Sequence, residues 1–310
     1  MARRVRLFGL ASLVVVDAQH EIDELIDHPA LDRSFERAGP ILNRLLVGRL
    51  MHQFLRDGRM LLSMRPRHDP ERQQGQAQLF RRLDALAAEK PWAPEAIYAM
   101  AHYVATGEQF GHAVSGLTYA TAMPFLEPSA RGQFDAERFR RVFRLTRRIA
   151  RANAPVSPVG FLIRLTRADR RAKRALLELT GGDDYGLHAL AVTIDNGLVI
   201  LDNLRQRVLE GHATGDRPAP KLAWLSARTA PSVVVRQIKE EFTLPHVDVR
   251  LPAHTLVLFR MRRGLRPDTQ GGFEFASSHW SACPARSYVV ALFDAVCKMA
   301  GPLLAKESRP

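Results

Sequence analysis

Apolar residues recur at helical spacing along most of the chain, and clusters of turn-forming residues separate the apolar runs. This pattern predicts a mainly α-helical protein. Strand-like text is limited to one run near the start and three runs near the end, which indicates a small, segregated β-region of the α+β kind. The predicted helices cover 18–28, 39–56, 71–89, 93–106, 135–152, 167–179, 184–210 and 286–300, and the predicted strands cover 10–16, 232–238, 247–251 and 254–260.

The start of the chain places basic residues before an apolar run from Leu7 to Val16, an order that resembles a signal peptide or a short anchor. The apolar run is far too short to span a bilayer, and no small-residue cleavage site follows it closely. Asp17 and an amphipathic stretch over 21–31 continue directly from it. We therefore expect a buried strand followed by a helix, with no transmembrane segment, in a soluble cytoplasmic protein.

The chain of 310 residues is strongly basic, with 45 Lys and Arg against 32 Asp and Glu, a net charge of +13. The densest basic stretch is 137–153, where apolar positions at helical spacing alternate with arginines. A solvated arginine face on a packed helix is favoured over a nucleic-acid surface, because the arginines are spread over many helices and no nucleic-acid-binding module is recognisable. Such a face would also attract acidic partners, including an acidic electron-transfer protein.

One cysteine, Cys283, stands in a Gly-, Ser- and Ala-rich loop that leads directly into an apolar helix, within FEFASSHWSACPARSYVVALFDAV over 273–296. The free N–H groups of a helix N-terminus favour a thiolate, which can be a nucleophile or a soft metal ligand. A small buried hydrophobic side chain is the alternative interpretation. The second cysteine, Cys297, lies fourteen residues on, and the pair form neither a disulfide framework nor a zinc pattern.

This loop resembles the haem-ligand loop of the cytochrome P450 family, in which a Phe precedes the Cys by seven residues and a helix follows at once. Here Phe275 precedes Cys283 by eight residues, and His279 and Ala285 stand where the family has glycines. The resemblance implies haem b as the cofactor and the Cys283 thiolate as the ligand of its iron.

The β-region over 231–261 is similar to the corresponding part of the same family, including its xLPAGTxV strand, which reads RLPAHTLVLF here with His254 in place of Gly. Arg236 falls where the family places an arginine on a haem propionate, and His279 is a second candidate for a propionate. His68 and Arg72, four residues apart, resemble an early-helix pair near a propionate and would share one helix face if the helix included His68.

The stretch 184–210 is apolar on most sides, so we expect a buried central helix. It resembles the family helix that crosses the distal haem face. In VTIDN, Asp195 takes the position of the family's acid and Asn196 replaces its threonine. A buried Asp195 carboxylate beside Asn196 would move protons on that face, or alternatively the pair would cap or cross-link helices.

The family's ExxR motif is absent, because Trp224 and Ala227 stand at its two charged positions. Apolar packing can replace such an ion pair without loss of stability. The resemblance implies a single P450-like domain over 1–310, with a strand–helix start at 7–35, the central helix at 184–210, the β-region at 231–261, and the haem-ligand loop with its helix at 271–303.

The implied function is that of a haem-thiolate oxidoreductase acting on a small organic substrate, by monooxygenase or by peroxygenase or rearrangement chemistry. An acidic ferredoxin-like or flavin redox partner would be required only for monooxygenation. A haemless, non-catalytic P450-like binding protein is the first alternative, and a basic nucleic-acid-binding protein, whose binding would weaken steeply with salt, is a distant one.

Overall fold

Helices dominate the computed structural model, which describes residues 3–7, 10–32, 35–153, 157–212, 234–244, 249–260 and 283–307. The prediction of a mainly α protein with a small β-region is confirmed. The helices are α1 (Gln19–Leu25), α2 (Ile41–Phe54), α3 (Pro70–Glu89), α4 (Pro94–Thr106), α5 (Phe110–Ala122), α6 (Ala136–Asn153), α7 (Pro158–Leu165), α8 (Ala168–Leu179), α9 (Asp184–His188), α10 (Ile194–His212) and α11 (Arg286–Glu307). The strands are β1 (Arg3–Leu7), β2 (Ala11–Val16), β3 (Leu31–Asp32), β4 (Leu55–Arg56), β5 (Arg59–Met60), β6 (Val234–Ile238), β7 (Phe242–Leu244), β8 (Val249–Leu251) and β9 (Leu256–Phe259).

The chain divides into two compact units, one over 1–75 and 231–283 and the other over 76–230 and 284–310. The first unit carries the strands together with α1 and α2, and the second carries the helices from α4 to α11. The prediction of one domain over 1–310 stays a prediction.

The first unit is built on a five-stranded sheet in the order β1-β2-β9-β6-β3. The strands β2 and β9 pair in parallel with Val14 beside Val257, whereas β6 runs antiparallel to β9. Helix α1 packs on this sheet, because Ile22, Leu25 and Ile26 belong to the same buried cluster as the strand residues Val14 and Val257. The alternating burial along β2 is typical of a strand with one face on a core.

The basic stretch at the start of the chain forms a strand. Strand β1 pairs antiparallel with β2, and Arg4 lies opposite Val14. The predicted strand over 10–16 is confirmed as β2, and the predicted following helix is α1. The hydrophobic pattern does not predict β1, because three of its five residues are arginines.

The second unit is a bundle in which α4 packs against α5, α10 and α11, and α6 packs against α5, α7 and α8. Helix α5 is buried on nearly every side. Its Gly116 lets the backbones approach closely, since an added Cβ would lie 2.6 Å from the carbonyl oxygen of Ala96 in α4. Helix α11 buries a stripe at four-residue spacing, formed by Tyr288, Leu292, Val296, Ala300 and Leu304.

Within the described ranges, two helical stretches have the length and hydropathy of a membrane span, at 184–210 and 286–304. In the 18-residue windows that satisfy the criterion, 44% and 39% of the residues are buried within the protein. A core helix of a folded protein passes the same test, so these stretches are weak evidence for a span.

The predicted central helix is observed as α9, a π-helical segment over Ala189–Thr193, and α10. A π-turn accommodates an extra residue, so the helix that follows is rotated by roughly 100° relative to an unbroken α-helix. Sequence periodicity alone does not reveal this insertion, and it changes which side chains of α10 face the bundle.

Candidate functional site

Cys283 lies directly before α11 and is half-buried. The carbonyl oxygen of Ala285 accepts a hydrogen bond from the backbone N–H of Val289 at 2.8 Å, so the helical hydrogen-bond pattern starts two residues after Cys283. The predicted position of this cysteine, in a loop at the N-terminus of an apolar helix, is therefore observed. A thiol in that place is accessible from solvent and close to unpaired helix N–H groups.

Tyr288 anchors the first turn of α11, five residues after Cys283. Its hydroxyl donates to the carbonyl oxygen of Ala120 at 2.7 Å and accepts a hydrogen bond from Nε1 of Trp92, also at 2.7 Å. Burial raises the pKa of Tyr288, so the phenol stays protonated and keeps donating. The sequence analysis missed this anchor; its signal is a tyrosine in the first turn of an otherwise apolar helix.

Cys297 occupies a different setting in the middle of α11. Its side chain is only 7% exposed, and burial, with the nearby Asp294 carboxylate, raises the pKa of the Cys297 thiol to about 12. A neutral buried thiol behaves as a small apolar side chain. Only Cys283 combines accessibility with a helix N-terminus.

Two arginines are buried in the sheet-bearing unit. Arg236, on β6, is 2% exposed and donates from Nη1 to the carbonyl oxygen of Val235 at 3.0 Å. Arg72, in the first turn of α3, is 3% exposed, and its backbone N–H donates to Oδ1 of Asp69 at 2.8 Å. A guanidinium group presents several donors in a planar fork, which suits it to carboxylate groups.

The condition under which His68 and Arg72 would share a helix face, a helix that includes His68, is not met. Helix α3 begins at Pro70, and Asp69 caps it, so His68 precedes the helix and is exposed while Arg72 is buried. Proline is favoured in the first helical turn, because its missing N–H would have no partner there. His279, Trp224 and Ala227 lie outside the described residues.

The expectation of a buried carboxylate at Asp195 is wrong. Its side chain is 53% exposed and accepts a 2.7 Å hydrogen bond from Nη1 of Arg147 on α6. The preceding π-helical segment accounts for the difference, because the rotation it introduces turns Asp195 towards α6 and solvent. Asn196 is half-buried, and Gly197 faces α5, where an added Cβ would lie 2.9 Å from Leu117.

The turn before β9 tolerates histidine because its surroundings are adapted to it. His254 has a positive φ of 64°, a region that normally favours glycine. Its backbone N–H donates to Ile238, and its carbonyl oxygen accepts from Nδ2 of Asn43. The neighbouring Gly39 makes room, since a Cβ at that position would lie 2.7 Å from the Cβ of His254.

Helix α2 borders an open groove of about 440 Å³ in the sheet-bearing unit, lined by Arg37, Ile41, Arg44 and Leu45. Ile41 and Leu45 are 48% and 56% exposed, so apolar surface and two cations meet at one place. This combination suits an amphiphile with an anionic head.

Comparison of the sequence finds no matching family profile, and no curated protein matches it. The three-dimensional structure, in contrast, is similar to many solved structures. P450BioI in complex with an acyl carrier protein carrying hexadec-9Z-enoic acid superposes with a TM-score of 0.58 at 9% identity, over 98% of this chain and 87% of that one. Cytochrome P450EX alpha with myristic acid gives 0.59 at 13% identity, over 96% and 82%. The open form of cytochrome P450 EryK from S. erythraea gives 0.57 at 12% identity, over 93% and 81%.

The chain has a cytochrome P450-like fold. Its identity with each of these structures is so low that the likeness concerns the path of the chain and not the chemistry. The resemblance read from the Cys283 loop and the β-region thus led to the right P450-like fold.

The residues of this P450-like chain fit a haem. A haem needs an axial donor and partners for two propionate carboxylates. Cys283 provides an accessible sulfur before α11, and Arg236 and Arg72 provide buried guanidinium groups in the unit that ends at Cys283. A sulfur donor and two guanidinium groups are the residue types that a haem-thiolate site would need.

Proposed function

We propose that the protein is a haem-thiolate oxidoreductase with Cys283 as the axial ligand. The observation that carries this proposal is the half-buried thiol directly before α11 in a P450-like fold. Cys297 is buried, and its raised pKa keeps it protonated, so it is unsuited to the role. Tyr288 supports Cys283 indirectly, because its two hydrogen bonds fix the first turn of α11.

Arg236 and Arg72 would bind the propionates of the haem. Both guanidinium groups are almost fully buried, and their planar forks of donors suit carboxylate groups. His68, exposed before α3, and His279 complete the proposed set of propionate contacts.

When bound, the haem would supply oxidative chemistry, either oxygen insertion by a monooxygenase route or peroxide-driven or rearrangement chemistry. Asp195 and Asn196 would form a proton path on α10. Asp195 is exposed and Asn196 is half-buried, so such a path would lead from water at the surface into the bundle. The Arg147 guanidinium would hold Asp195 in position at the surface.

Long-chain fatty acids are the first substrates to test. P450EX alpha holds myristic acid, and P450BioI holds a fatty acyl group on its carrier protein. In this chain the groove along α2 offers Arg37 and Arg44 to a carboxylate, and Ile41 and Leu45 to an acyl chain. An acidic ferredoxin-like or flavin protein would serve as redox partner if the route is monooxygenation, and the expected location is the cytoplasm.

A haemless P450-like binding protein is the second candidate function. The observation that favours it is the absence of the ExxR pair, whose positions are Trp224 and Ala227. In that case Cys283 would have no cofactor to bind, and replacing it would leave ligand binding and stability unchanged.

The experiment that separates the two candidates is the absorption spectrum of the protein expressed with haem precursor, before and after reduction under carbon monoxide. The oxidoreductase proposal predicts stoichiometric haem and a long-wavelength, thiolate-type carbonyl band in the wild type and in Cys297→Ala, but not in Cys283→Ala. A well-folded wild type without stoichiometric haem would contradict the proposal and leave the binding protein as the explanation.

A further inference from the structure

The positive charge of the chain is concentrated in one part of the helical unit. Residues 138–174 contain twelve arginines and one lysine but a single acidic residue, Asp169. Asp169 is 1% exposed, so its carboxylate does not contribute to the outer surface. Over the whole of α6, α7, α8 and their connections, 136–179, thirteen basic residues stand against three acidic ones, a net charge of +10.

Helix α7, in the middle of this basic stretch, exposes an apolar face. Val159, Phe161, Leu162 and Leu165 are 52%, 59%, 56% and 66% exposed. These residues lie on one side of two helical turns, and the buried Gly160 lies on the other. A helix on the surface of a soluble protein normally packs such residues against the core. Four large exposed apolar side chains within eight residues therefore indicate an interaction surface.

The apolar face is held outward by the contacts on its opposite side. Ser157 caps α7 by accepting from the N–H of Gly160 at 3.1 Å, and a Cβ on Gly160 would clash with the carbonyl oxygen of Arg151. The guanidinium of Arg164 donates to the carbonyl oxygen of Ala152. Both contacts tie α7 to the last turn of α6, so the direction of the apolar face follows from backbone packing.

Exposed arginines precede and follow this face along the chain. Arg148 and Arg151 end α6, and Arg167, Arg170 and Arg171 begin α8, all with exposed side chains. Since α7 packs on both of these helices, its apolar face and these cations lie on neighbouring helices.

We propose that α7, with the arginines at the end of α6 and the start of α8, is a docking surface for an anionic lipid bilayer. The apolar face would insert at the level of the lipid headgroups, and the arginines would bind the lipid phosphates. The protein would be attached peripherally, without a membrane-spanning segment. This inference is independent of haem binding.

An acidic protein partner is the competing occupant. Such an interface needs complementary polar groups that fix one orientation. The α7 face carries only Val, Phe and Leu side chains, and the exposed charged residues named beside it are all arginines. A fluid anionic bilayer requires no defined orientation of the docked protein, and it binds both an apolar face and cationic side chains.

The test is cosedimentation of the full-length protein with vesicles of phosphatidylcholine alone, or of equimolar phosphatidylcholine and phosphatidylglycerol, at low and high salt. We expect binding to the anionic vesicles only. The double variant F161S/L165S should bind about tenfold more weakly or worse, because two apolar side chains leave the bilayer. Its matched control is F110S/L209S on α5 and α10, where the two residues are 47% and 42% exposed.

A second pair of variants tests the charge. R167Q/R171Q should weaken binding by about fivefold per arginine, and high salt should produce the same loss in the wild type. The control R59Q/R81Q removes two exposed arginines elsewhere. All of the changes are at exposed positions, and unchanged thermal unfolding would show that folding is intact.

Three outcomes would overturn the proposal. The first is no preference for anionic vesicles. The second is equal loss in a variant and its control. The third is binding that responds to charge but not to F161S/L165S, which would indicate purely electrostatic docking of the kind an acidic protein uses. As an independent measurement, F161W should shift its fluorescence to shorter wavelength on anionic vesicles and be quenched by brominated acyl chains.

Discussion

The start and the middle of α11 present the same side chain in two settings. Cys283 is half-buried in the loop before the first helical hydrogen bond, whereas Cys297 is 7% exposed within the core-facing stripe. Burial raises the pKa of the Cys297 thiol to about 12, so it stays neutral. Position on the helix and burial, rather than residue type, thus decide which cysteine is available for chemistry.

The largest expected difference between the two cysteines is in their reaction with iodoacetamide. Raising a thiol pKa from 9.0 to about 12 lowers the thiolate fraction at neutral pH about a thousandfold. In folded protein without haem at about pH 8, we expect Cys283 to be alkylated and Cys297 to remain unmodified, as followed by peptide mass spectrometry over time. Comparable rates in the native protein would contradict the contrast, and equal labelling in denaturant is the control.

Tyr288→Phe tests whether the start of α11 is fixed as described. The change removes a buried donor from the Ala120 carbonyl oxygen and an acceptor from Trp92, which should cost about 1–3 kcal/mol of unfolding free energy. Tyr98→Phe, at a residue that is 49% exposed, is the matched control and should cost almost nothing. Denaturant titration measures both, and equal stability of the two variants would show that the anchor is unimportant.

The buried cysteine predicts a pH dependence of stability. The Cys297 thiol has a higher pKa in the folded protein, about 12, than the ordinary 9.0, so its contribution is complete below pH 9 and is lost as the pH rises towards 12. The loss should be about 1.4 kcal/mol per pH unit in that range. Cys297→Ala should therefore be less stable than the wild type at neutral pH, by about 1 kcal/mol, and lose less above pH 9. Parallel stability curves for the two proteins would contradict this account.

Asp195→Asn extends the comparison to a charged contact and has the smallest expected effect. The Arg147–Asp195 pair is about half exposed, with side-chain exposures of 42% and 53%. Exposed ion pairs contribute less than about 1 kcal/mol, so thermal unfolding should shift little. A large destabilisation would show that Asp195 has a structural role instead of a role in proton exchange.

The parts of the fold that sequence could predict are those in which one face is buried and the other is solvated. Strand β2, helix α6 and helix α11 follow that rule, and their positions were predicted from their patterns. Helix α5 was missed because it is buried all round and has no polar face, and α7 because its apolar side chains face outward.

For the site, the sequence located Cys283 at the start of its helix and Arg236 on a strand, since both depend on local order along the chain. It failed where geometry accumulates over several turns. The π-helical segment at 189–193 directly precedes Asp195, whose side chain is exposed where the sequence predicted a buried carboxylate. An extra residue in a helical turn leaves no periodic signal in the sequence.

The measurement that tests the central claim most directly is the electron paramagnetic resonance spectrum of the ferric, haem-loaded protein beside Cys283→Ala and Cys297→Ala. We predict the rhombic low-spin signal of a thiolate-ligated haem in the wild type and in Cys297→Ala, and its loss in Cys283→Ala. Retention of that signal in Cys283→Ala, or its absence from a wild type that carries stoichiometric haem, would contradict the assignment of Cys283 as the axial ligand.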